Sequence, residues 1–146
     1  MNSKSFLALL VVGSLLTVLA ADPPKSAVVH IPREKVDASF AANSQLLATN
    51  NFKIITARRT GPGEVEIHDE DTDIFYVLEG SATFITGGKV VAPKASGPGE
   101  TRAKEILGGE ERHLMKGDIL IIPNRVPHWF KEVNGPFLYY IVKVKQ

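Results

Sequence analysis

Two stretches of sequence decide the fold, EIHDEDTDIFYVLEG at residues 66–80 and GDILIIPNRVPHWF at residues 117–130. Each contains an apolar run of the β-branched and aromatic residues that favour strands, bounded by the glycine, proline and acidic residues that favour turns. Each also carries one histidine, His68 in the first stretch and His128 in the second. The sequence therefore predicts two strand pairs, each presenting one imidazole.

Further strand and turn patterns lie on both sides of these stretches. In residues 64–68 polar and apolar residues alternate, so Glu66 and His68 share one face of a predicted strand. Turns are predicted at Glu79-Gly80 and at residues 134–136, because glycine and proline interrupt the apolar runs there. The predicted strands are residues 28–31, 52–58, 64–68, 74–78, 81–86, 119–122, 128–133 and 137–144.

Two segments depart from this pattern. Pro32 is expected to open a short helix over residues 33–41, with Asn43 near its end. Residues 90–109 contain several prolines and glycines and are predicted to form a long loop, with a possible short strand at residues 106–107. The segment is either a lid over a barrel mouth or packed outside. Short strands joined by glycine and proline turns, with one short helix, predict an all-β barrel or sandwich.

Composition narrows the class of protein. The chain has 146 residues, enough for one domain with its own core, and a formal net charge of +1. Such a near-neutral chain without a basic stripe has no electrostatic footprint for nucleic acid or an anionic membrane. Because the chain has no cysteine, disulfides, thiolate metal ligands and cysteine nucleophiles are excluded.

The N-terminus is predicted to be a secretory signal peptide over residues 1–20. It has a short basic start at Lys4, an apolar run from Phe6 to Leu19, and small residues before Ala21. The apolar run is shorter than a membrane span needs, so no stable membrane anchor is expected. We therefore expect an exported protein, periplasmic or secreted, with a linker, strand and helix over residues 21–44 and a β-barrel domain over residues 45–146.

The first stretch resembles the first motif of the cupin superfamily. That motif has a glycine, two histidines one residue apart, an acidic residue, and a glycine seven residues after the acid. Asp73 and Gly80 keep the last spacing, and His68 falls on the second histidine position. Glu66 stands where the family has its first histidine.

The second stretch resembles the second cupin motif. Gly117, Pro123 and His128 match its glycine, proline and histidine, while Arg125 replaces a glycine and Glu132 an asparagine. The two motifs and the strands between them span residues 61–132. This resemblance implies a single cupin barrel, a double-stranded β-helix or jelly roll.

The resemblance also implies a metal site inside the barrel. Carried over position by position, the ligands would be Glu66, His68, Asp73 and His128, and the ion would be divalent Fe, Mn, Ni or Zn. Asp73 has a shorter side chain than the usual glutamate, so it is either a ligand or a group that orients an imidazole.

Three functions follow from the resemblance, and the sequence does not choose among them. The first is a metal-dependent enzyme of oxygenase, isomerase or lyase type acting on a small molecule, with its catalytic residues unassigned. The second is a non-catalytic barrel that binds a small ligand or a sugar, and the third is a structural or partner-binding protein. A homodimer formed through sheet edges is expected as well.

Other polar and aromatic residues are weaker candidates for the site. His30 and His113 are expected to be structural or surface residues, and Arg125 is expected to be solvated, with a clamp on a substrate carboxylate as its alternative role. The aromatic residues of the last two strands are expected to line or plug the barrel as part of its core: Trp129, Phe130, Tyr139 and Tyr140.

Overall fold

The computed structural model describes residues 27–146, and within them it has one helix and eleven strands. The signal peptide predicted over residues 1–20 lies outside the described residues. The all-β fold class with a short N-terminal helix is confirmed. The elements are α1 (Arg33–Ala42), β1 (Gln45–Ala48), β2 (Phe52–Arg59), β3 (Val65–His68), β4 (Asp71–Thr86), β5 (Lys89–Val91), β6 (Lys94–Gly97), β7 (Glu100–Ala103), β8 (Glu105–Leu107), β9 (Glu110–Met115), β10 (Ile119–Ile122) and β11 (His128–Lys145).

Helix α1 forms where the sequence predicted it. Pro32, whose fixed φ suits a helix start, directly precedes it, and Asn43 ends it in the left-handed conformation with a φ of 49°. The helix is anchored by Phe40, whose ring meets that of Tyr140 edge to face at 5.3 Å. The strand predicted over residues 28–31 is wrong, since these residues have no regular secondary structure. Across residues 27–146, no helix has the length and apolar character needed to cross a membrane.

Two long strands, β4 and β11, organise the fold by pairing antiparallel along most of their length. The first half of β4 and the second half of β11 form one layer, with strand order β1-β2-β11-β4-β10. The second half of β4 and the first half of β11 form the other layer, with strand order β6-β7-β3-β11-β4-β9. Each long strand therefore belongs to both layers, as in a jelly roll.

Strand β4 passes from one layer to the other at Gly80. This residue has a φ of 81°, and a Cβ there would collide with the backbone carbonyl oxygen of Pro136 on β11. The register of β11 against β4 shifts between Asn134 and Leu138, which is a bulge opposite the glycine. The turns predicted at both places are wrong, because each strand bends there and continues pairing instead of reversing.

The two layers face each other across a core of aromatic rings. The centroid of the Phe75 ring, in the first layer, lies 6.0 Å from that of Phe130 and 5.9 Å from that of Phe84, both in the second. Tyr139 of the first layer lies 5.3 Å from Phe130. All four rings are at most 3 % exposed. Burial of this apolar area is the main force that holds the layers together.

Residues 90–109 form short strands, so the long loop predicted there is wrong. Strands β5 and β8 pair as a separate two-stranded sheet, while β7 and β6 extend the second layer beyond β3. Prolines and glycines cut the segment into strands of three or four residues, which are too short to show a periodic pattern. The segment is therefore part of the wall, and it brings Glu100 next to His68.

Strand β10 is an outer edge of the first layer. It pairs with β4 alone among the described residues, and its Ile119 and Ile121 are 66 % and 63 % exposed. An exposed apolar edge strand is open to pairing with another chain. The homodimer expected from the sequence stays a prediction, with this edge as its candidate interface.

Candidate metal centre

Strand pairing brings the four predicted site residues together. Glu66 and His68 are two residues apart on β3, so their side chains point to the same side. His128 begins β11 and stands directly opposite Glu66 in the register. Asp73 lies on β4, opposite Lys143 of β11. Because β11 pairs with both β3 and β4, the two motifs meet at one point inside the barrel.

The four side chains converge on a common space. The Nε2 atom of His68 lies 3.4 Å from Asp73 Oδ2 and 3.6 Å from Glu66 Oε2, and the Nε2 atom of His128 lies 3.8 Å from the same Asp73 oxygen. One donor atom each from Glu66, His68 and His128 lie within 4.8 Å of one another, and Asp73 is not part of that closest group. Both histidines and Asp73 are buried, while the Glu66 side chain is 20 % exposed.

Both imidazole rings are held by their Nδ1 atoms. His68 Nδ1 lies 2.7 Å from a carboxylate oxygen of Glu100, and His128 Nδ1 lies 3.0 Å from the carbonyl oxygen of Val126. Because an ionised carboxylate and a carbonyl only accept hydrogen bonds, these partners assign the proton to Nδ1 and a lone pair to Nε2. Neither Nε2 atom has a hydrogen-bond partner within residues 27–146, although both atoms are buried.

Two arginines fix Glu66. Its Oε1 atom accepts hydrogen bonds from Arg59 Nη2 at 3.1 Å and pairs with Arg102 Nη1 at 2.6 Å, which leaves Oε2 directed at His68. Burial acts to raise the pKa of Glu66, but the positive charges of Arg102 and Arg59 help to outweigh it and the pKa is lowered. The carboxylate is therefore ionised and has one oxygen available to the centre.

Arg59 joins this polar group to the aromatic core. Its Nε donates to the hydroxyl oxygen of Tyr139 at 2.9 Å, and its guanidinium lies 4.4 Å from the centroid of the Phe130 ring. Burial raises the pKa of Tyr139 to about 12, so its hydroxyl stays protonated. The guanidinium is thus positioned from one side by the core and holds Glu66 on the other.

Lys143 holds Asp73 in a similar way. Its Nζ donates to Asp73 Oδ1 at 2.7 Å, which leaves Oδ2 near the two imidazoles. Burial acts to raise the pKa of Asp73, but the nearby imidazole of His68 and the ammonium of Lys143 lower it overall. Asp73 is therefore a buried carboxylate shared between a lysine and the histidines.

The two imidazoles differ in basicity. Burial acts to lower the pKa of both rings, but the net shift differs between them. At His68 the carboxylates of Asp73 and Glu100 outweigh burial, and the pKa is raised. At His128 burial prevails over the same kind of partner, and the pKa is lowered. His128 is thus held in the neutral form, which is the form that binds metal ions.

A pocket of about 360 Å³ reaches this centre from one end of the barrel. Of the four candidate ligands only His68 lines the pocket, beside Glu100 and Lys143, which are the partners of His68 and Asp73. The rest of its wall is formed by these residues: Thr49, Asn50, Asn51, Phe52, Lys53, Glu70, Asp71, Pro98, Gly99 and Lys145. The size suits a small molecule.

Sequence reasoning missed the side chains that position the predicted ligands. Glu100 and Arg102 lie in the segment taken for a loop, and Arg59 ends β2, the strand that precedes the first motif. Lys143 carried a usable signal, because it continues the alternating series of Tyr139 and the other inward-facing residues of the last strand. A lysine in such a series needs a buried partner, and here that partner is a carboxylate.

The remaining candidates lie apart from the centre. His30 is exposed, and so is His113, whose side chain is 75 % exposed. Arg125 is exposed too and has a φ of 64°, the left-handed region that favours glycine, at the motif position where cupins have glycine. Its backbone N–H donates to the carbonyl oxygen of His68 at 2.7 Å. Arg125 therefore contributes to the centre through its backbone.

The predicted aromatic residues divide into two groups. Phe130 and Tyr139 belong to the aromatic core between the layers, as expected. Tyr140 points away from it and contacts Phe40 of α1, and Trp129 packs with a smaller apolar cluster and donates from Nε1 to the carbonyl oxygen of Gly63 at 2.7 Å. None of the four lines the pocket at the centre.

Comparison with known proteins shows similarity in structure. No family model matches the sequence, and no curated protein is significantly similar to it. A solved protein from Bacillus halodurans is similar with a TM-score of 0.57 and 16 % identity, over 84 % of this chain and 83 % of that one. A cupin protein from Bacteroides fragilis is similar with a TM-score of 0.50 and 13 % identity, over 84 % of this chain and 86 % of that one.

A third solved structure is a proposed mannose-6-phosphate isomerase from Ralstonia eutropha. It has a TM-score of 0.51 and 17 % identity, over 70 % of this chain and 82 % of that one. At such low identities these similarities establish the fold and nothing about activity. The fold is a cupin double-stranded β-helix, as the two sequence motifs predicted.

Proposed function

We propose that this cupin-fold chain binds one divalent metal ion through His68, His128 and Glu66 and acts with it on a small molecule. The observation that carries the proposal is the pair of buried Nε2 atoms without hydrogen-bond partners. A buried acceptor without a partner is unfavourable, and buried imidazoles that already donate from Nδ1 are the usual form of histidine metal ligands. The donor set fits Fe, Mn, Ni or Zn.

The residues around the centre fit this role. Glu100 and the Val126 carbonyl hold the imidazole rings in the tautomer that presents a lone pair. Arg59 and Arg102 keep Glu66 ionised with Oε2 directed inward. Asp73 is either a fourth ligand or a group that orients the imidazoles, because its Oδ2 atom lies 3.4 Å and 3.8 Å from the two Nε2 atoms but does not belong to the group whose donor atoms all lie within 4.8 Å of one another.

The chemistry proposed for the protein follows from the donors. A divalent ion held by three protein ligands would supply a Lewis acid with open positions that polarises a carbonyl or phosphoryl oxygen, or a redox centre if the ion is iron. The chain itself contributes a pocket of about 360 Å³ beside His68, which positions a small molecule against the ligand group. Oxygenase, isomerase and lyase reactions remain the candidate reaction classes.

The polar lining of the pocket supports a second candidate function, non-catalytic binding of a small ligand or a sugar. Its rim carries the amides of Asn50 and Asn51 and the hydroxyl of Thr49, groups that hydrogen-bond sugar hydroxyls. This function needs the pocket but not the imidazole lone pairs. A His128→Ala variant, whose substitution lies outside the pocket lining, would therefore still bind its ligand.

The proposal is tested by titrating metal-free protein with Mn(II) and measuring both the heat of binding and the relaxation of water protons. We expect one site in the wild type and in the control His113→Ala, no site in His128→Ala, and enhanced relaxation because an exchangeable water remains on the ion. Binding of Mn(II) without exchangeable water would favour a non-catalytic site. Absence of binding by the wild type to Mn(II), Fe(II), Ni(II) and Zn(II) would contradict the metal site itself.

Export to the periplasm or the medium and assembly as a homodimer are also proposals for this chain. Export is supported by the basic and apolar pattern of residues 1–20, and assembly by the exposed β10 edge. Mass measurement of the mature protein would reveal cleavage before Ala21. Light scattering of wild type beside Ile121→Lys would show whether the β10 edge joins two copies.

A further inference from the structure

The charged side chains around the candidate metal group already balance one another. Glu66 is paired with Arg59 at 3.1 Å and with Arg102 at 2.6 Å. Asp73 is paired with Lys143 at 2.7 Å. The two carboxylates that face the space between the histidines are therefore matched by positive charges of the chain.

Addition of a divalent ion changes this balance. Glu66, Asp73 and Glu100 provide three negative charges, and the two arginines and one lysine provide three positive ones. The ion would leave two positive charges uncompensated next to histidine side chains that are 4 % exposed. Uncompensated charge at a buried site is strongly unfavourable. A negatively charged ligand in the pocket would restore neutrality, whereas a neutral sugar would not.

Three lysines and three carboxylates line the same pocket: Lys53, Lys143 and Lys145, and Glu70, Asp71 and Glu100. Lys53 on β2 and Lys143 on β11 are direct partners in the register, so both side chains lie on one face of the sheet. Lys145 follows two residues later and shares that face. Like charges placed directly opposite each other destabilise a strand pair. This pair of lysines therefore needs negative charge nearby, and Asp73 supplies it to Lys143 alone.

The three lysines differ in what neutralises them. Lys143 is bound to Asp73, and Lys145 lies 2.9 Å from Glu70. Within residues 27–146, no carboxylate oxygen lies within 4.0 Å of the ammonium of Lys53, which is exposed at the rim. Lys53 is thus the rim cation that is available to a ligand.

We propose that this pocket binds a small oxyanion, bearing a carboxylate or a phosphate group, which lies between the metal ion and Lys53 and neutralises the loaded centre. The inference rests on the proposed metal site and narrows its substrate class. It predicts that ion and anion bind cooperatively, because each offsets the charge of the other. It also predicts that Lys53 contributes to anion affinity and not to metal affinity.

The test uses malonate, inorganic phosphate and malonamide, which is the neutral counterpart of malonate. Each is titrated by calorimetry into protein loaded with Mn(II) and into metal-free protein, with the bound metal measured before and after. We expect malonate or phosphate to bind the loaded protein at least about tenfold more tightly than the metal-free protein, and malonamide to show no such preference. The acid that binds more tightly identifies the group as a carboxylate or a phosphate.

Two variants locate the anion. Lys53→Gln should weaken binding of the anion about tenfold while leaving Mn(II) affinity unchanged, and Lys131→Gln, an exposed lysine paired with Glu111 outside this pocket, should leave both unchanged. Retained metal with no binding of either anion, or equal binding by Lys53→Gln, would overturn this inference and leave the metal site intact. Failure of the wild type to bind metal would overturn the proposed function and this inference together.

Discussion

The barrel interior contains two regions, the aromatic core and the candidate metal centre. They differ in whether their buried polar atoms have hydrogen-bond partners. In the aromatic core every ring is buried against other rings, and its polar atoms are either absent or, at Tyr139, hydrogen-bonded. In the candidate metal centre, two buried imidazole nitrogens have no hydrogen-bond partner among the described residues. The core is formed by these residues: Phe75, Phe84, Phe130, Phe137 and Tyr139.

This difference separates the region that stabilises the fold from the region proposed to bind a metal ion. The core needs nothing beyond the chain, because apolar burial provides its free energy. The centre places polar and charged groups where they are unfavourable unless something binds them, which is characteristic of functional sites. Arg59 contacts both regions. Its guanidinium lies over the Phe130 ring of the core and donates a hydrogen bond to Glu66 of the candidate metal centre.

The largest expected effect is in the aromatic core. Phe84 is fully buried and contacts Phe75 and Phe130, so Phe84→Ala should lower the free energy of unfolding by about 3–5 kcal/mol through lost burial and an added cavity. Urea unfolding measures this loss. Met115→Ala, at a side chain 57 % exposed, is the matched control and should change stability by no more than about 0.5 kcal/mol. Equal losses in the two variants would contradict the assignment of the core.

The second effect concerns the metal centre. A metal ion at one hundred times its dissociation constant should raise the free energy of unfolding by about 2.7 kcal/mol, since it binds the folded state alone. The same addition should leave His128→Ala unchanged and stabilise His113→Ala as much as the wild type. Urea midpoints with and without metal provide the measurement. Stabilisation of His128→Ala by the ion would mean that the ion binds elsewhere.

The third effect concerns Gly80, where β4 passes from one layer to the other. Gly80→Ala would combine a left-handed φ of 81° with a collision against the Pro136 carbonyl oxygen, and it should destabilise the fold by about 2 kcal/mol or more. Gly135→Ala is a suitable control, because it has a φ of 69° but open space around its Cβ. That variant should lose only about 1 kcal/mol. Similar losses would show that the contact with Pro136 contributes nothing.

The fourth effect tests how the centre is held. Glu100→Ala removes the acceptor for His68 Nδ1 and should weaken metal affinity about tenfold, while Glu100→Gln, which keeps an acceptor oxygen, should recover part of that loss. Glu110→Ala, on a side chain 70 % exposed, should not change the affinity. Calorimetric metal titration gives the three values. An unchanged affinity in Glu100→Ala would mean that the ring is positioned by packing alone.

The smallest effect is at Arg125, in the turn between β10 and β11. Arg125 occupies the left-handed conformation with a φ of 64°, so Arg125→Gly should relieve strain and increase stability by about 0.5 kcal/mol after the greater chain entropy of glycine is subtracted. Thermal unfolding resolves such a shift. A destabilised Arg125→Gly would show that the exposed guanidinium makes a favourable interaction.

The resemblance to the two cupin motifs singled out Glu66, His68, Asp73 and His128, and the structure brings these four side chains together. Their role as metal ligands stays a prediction. The topology was predicted less well. Gly80 was taken for a hairpin turn, because a local pattern cannot distinguish a reversal from a bend in a strand that pairs on both sides. The side chains that hold the ligands come from distant strands, and only the register reveals them.

The measurement that tests the account most directly is elemental analysis of the protein purified without a metal-affinity tag, beside a His68→Ala/His128→Ala variant and the control His113→Ala. The account predicts about one equivalent of a divalent metal in the wild type and in the control, and none in the double variant. Equal metal content in the wild type and the double variant, or no metal in the wild type even after reconstitution with Fe(II), Mn(II), Ni(II) and Zn(II), would contradict it.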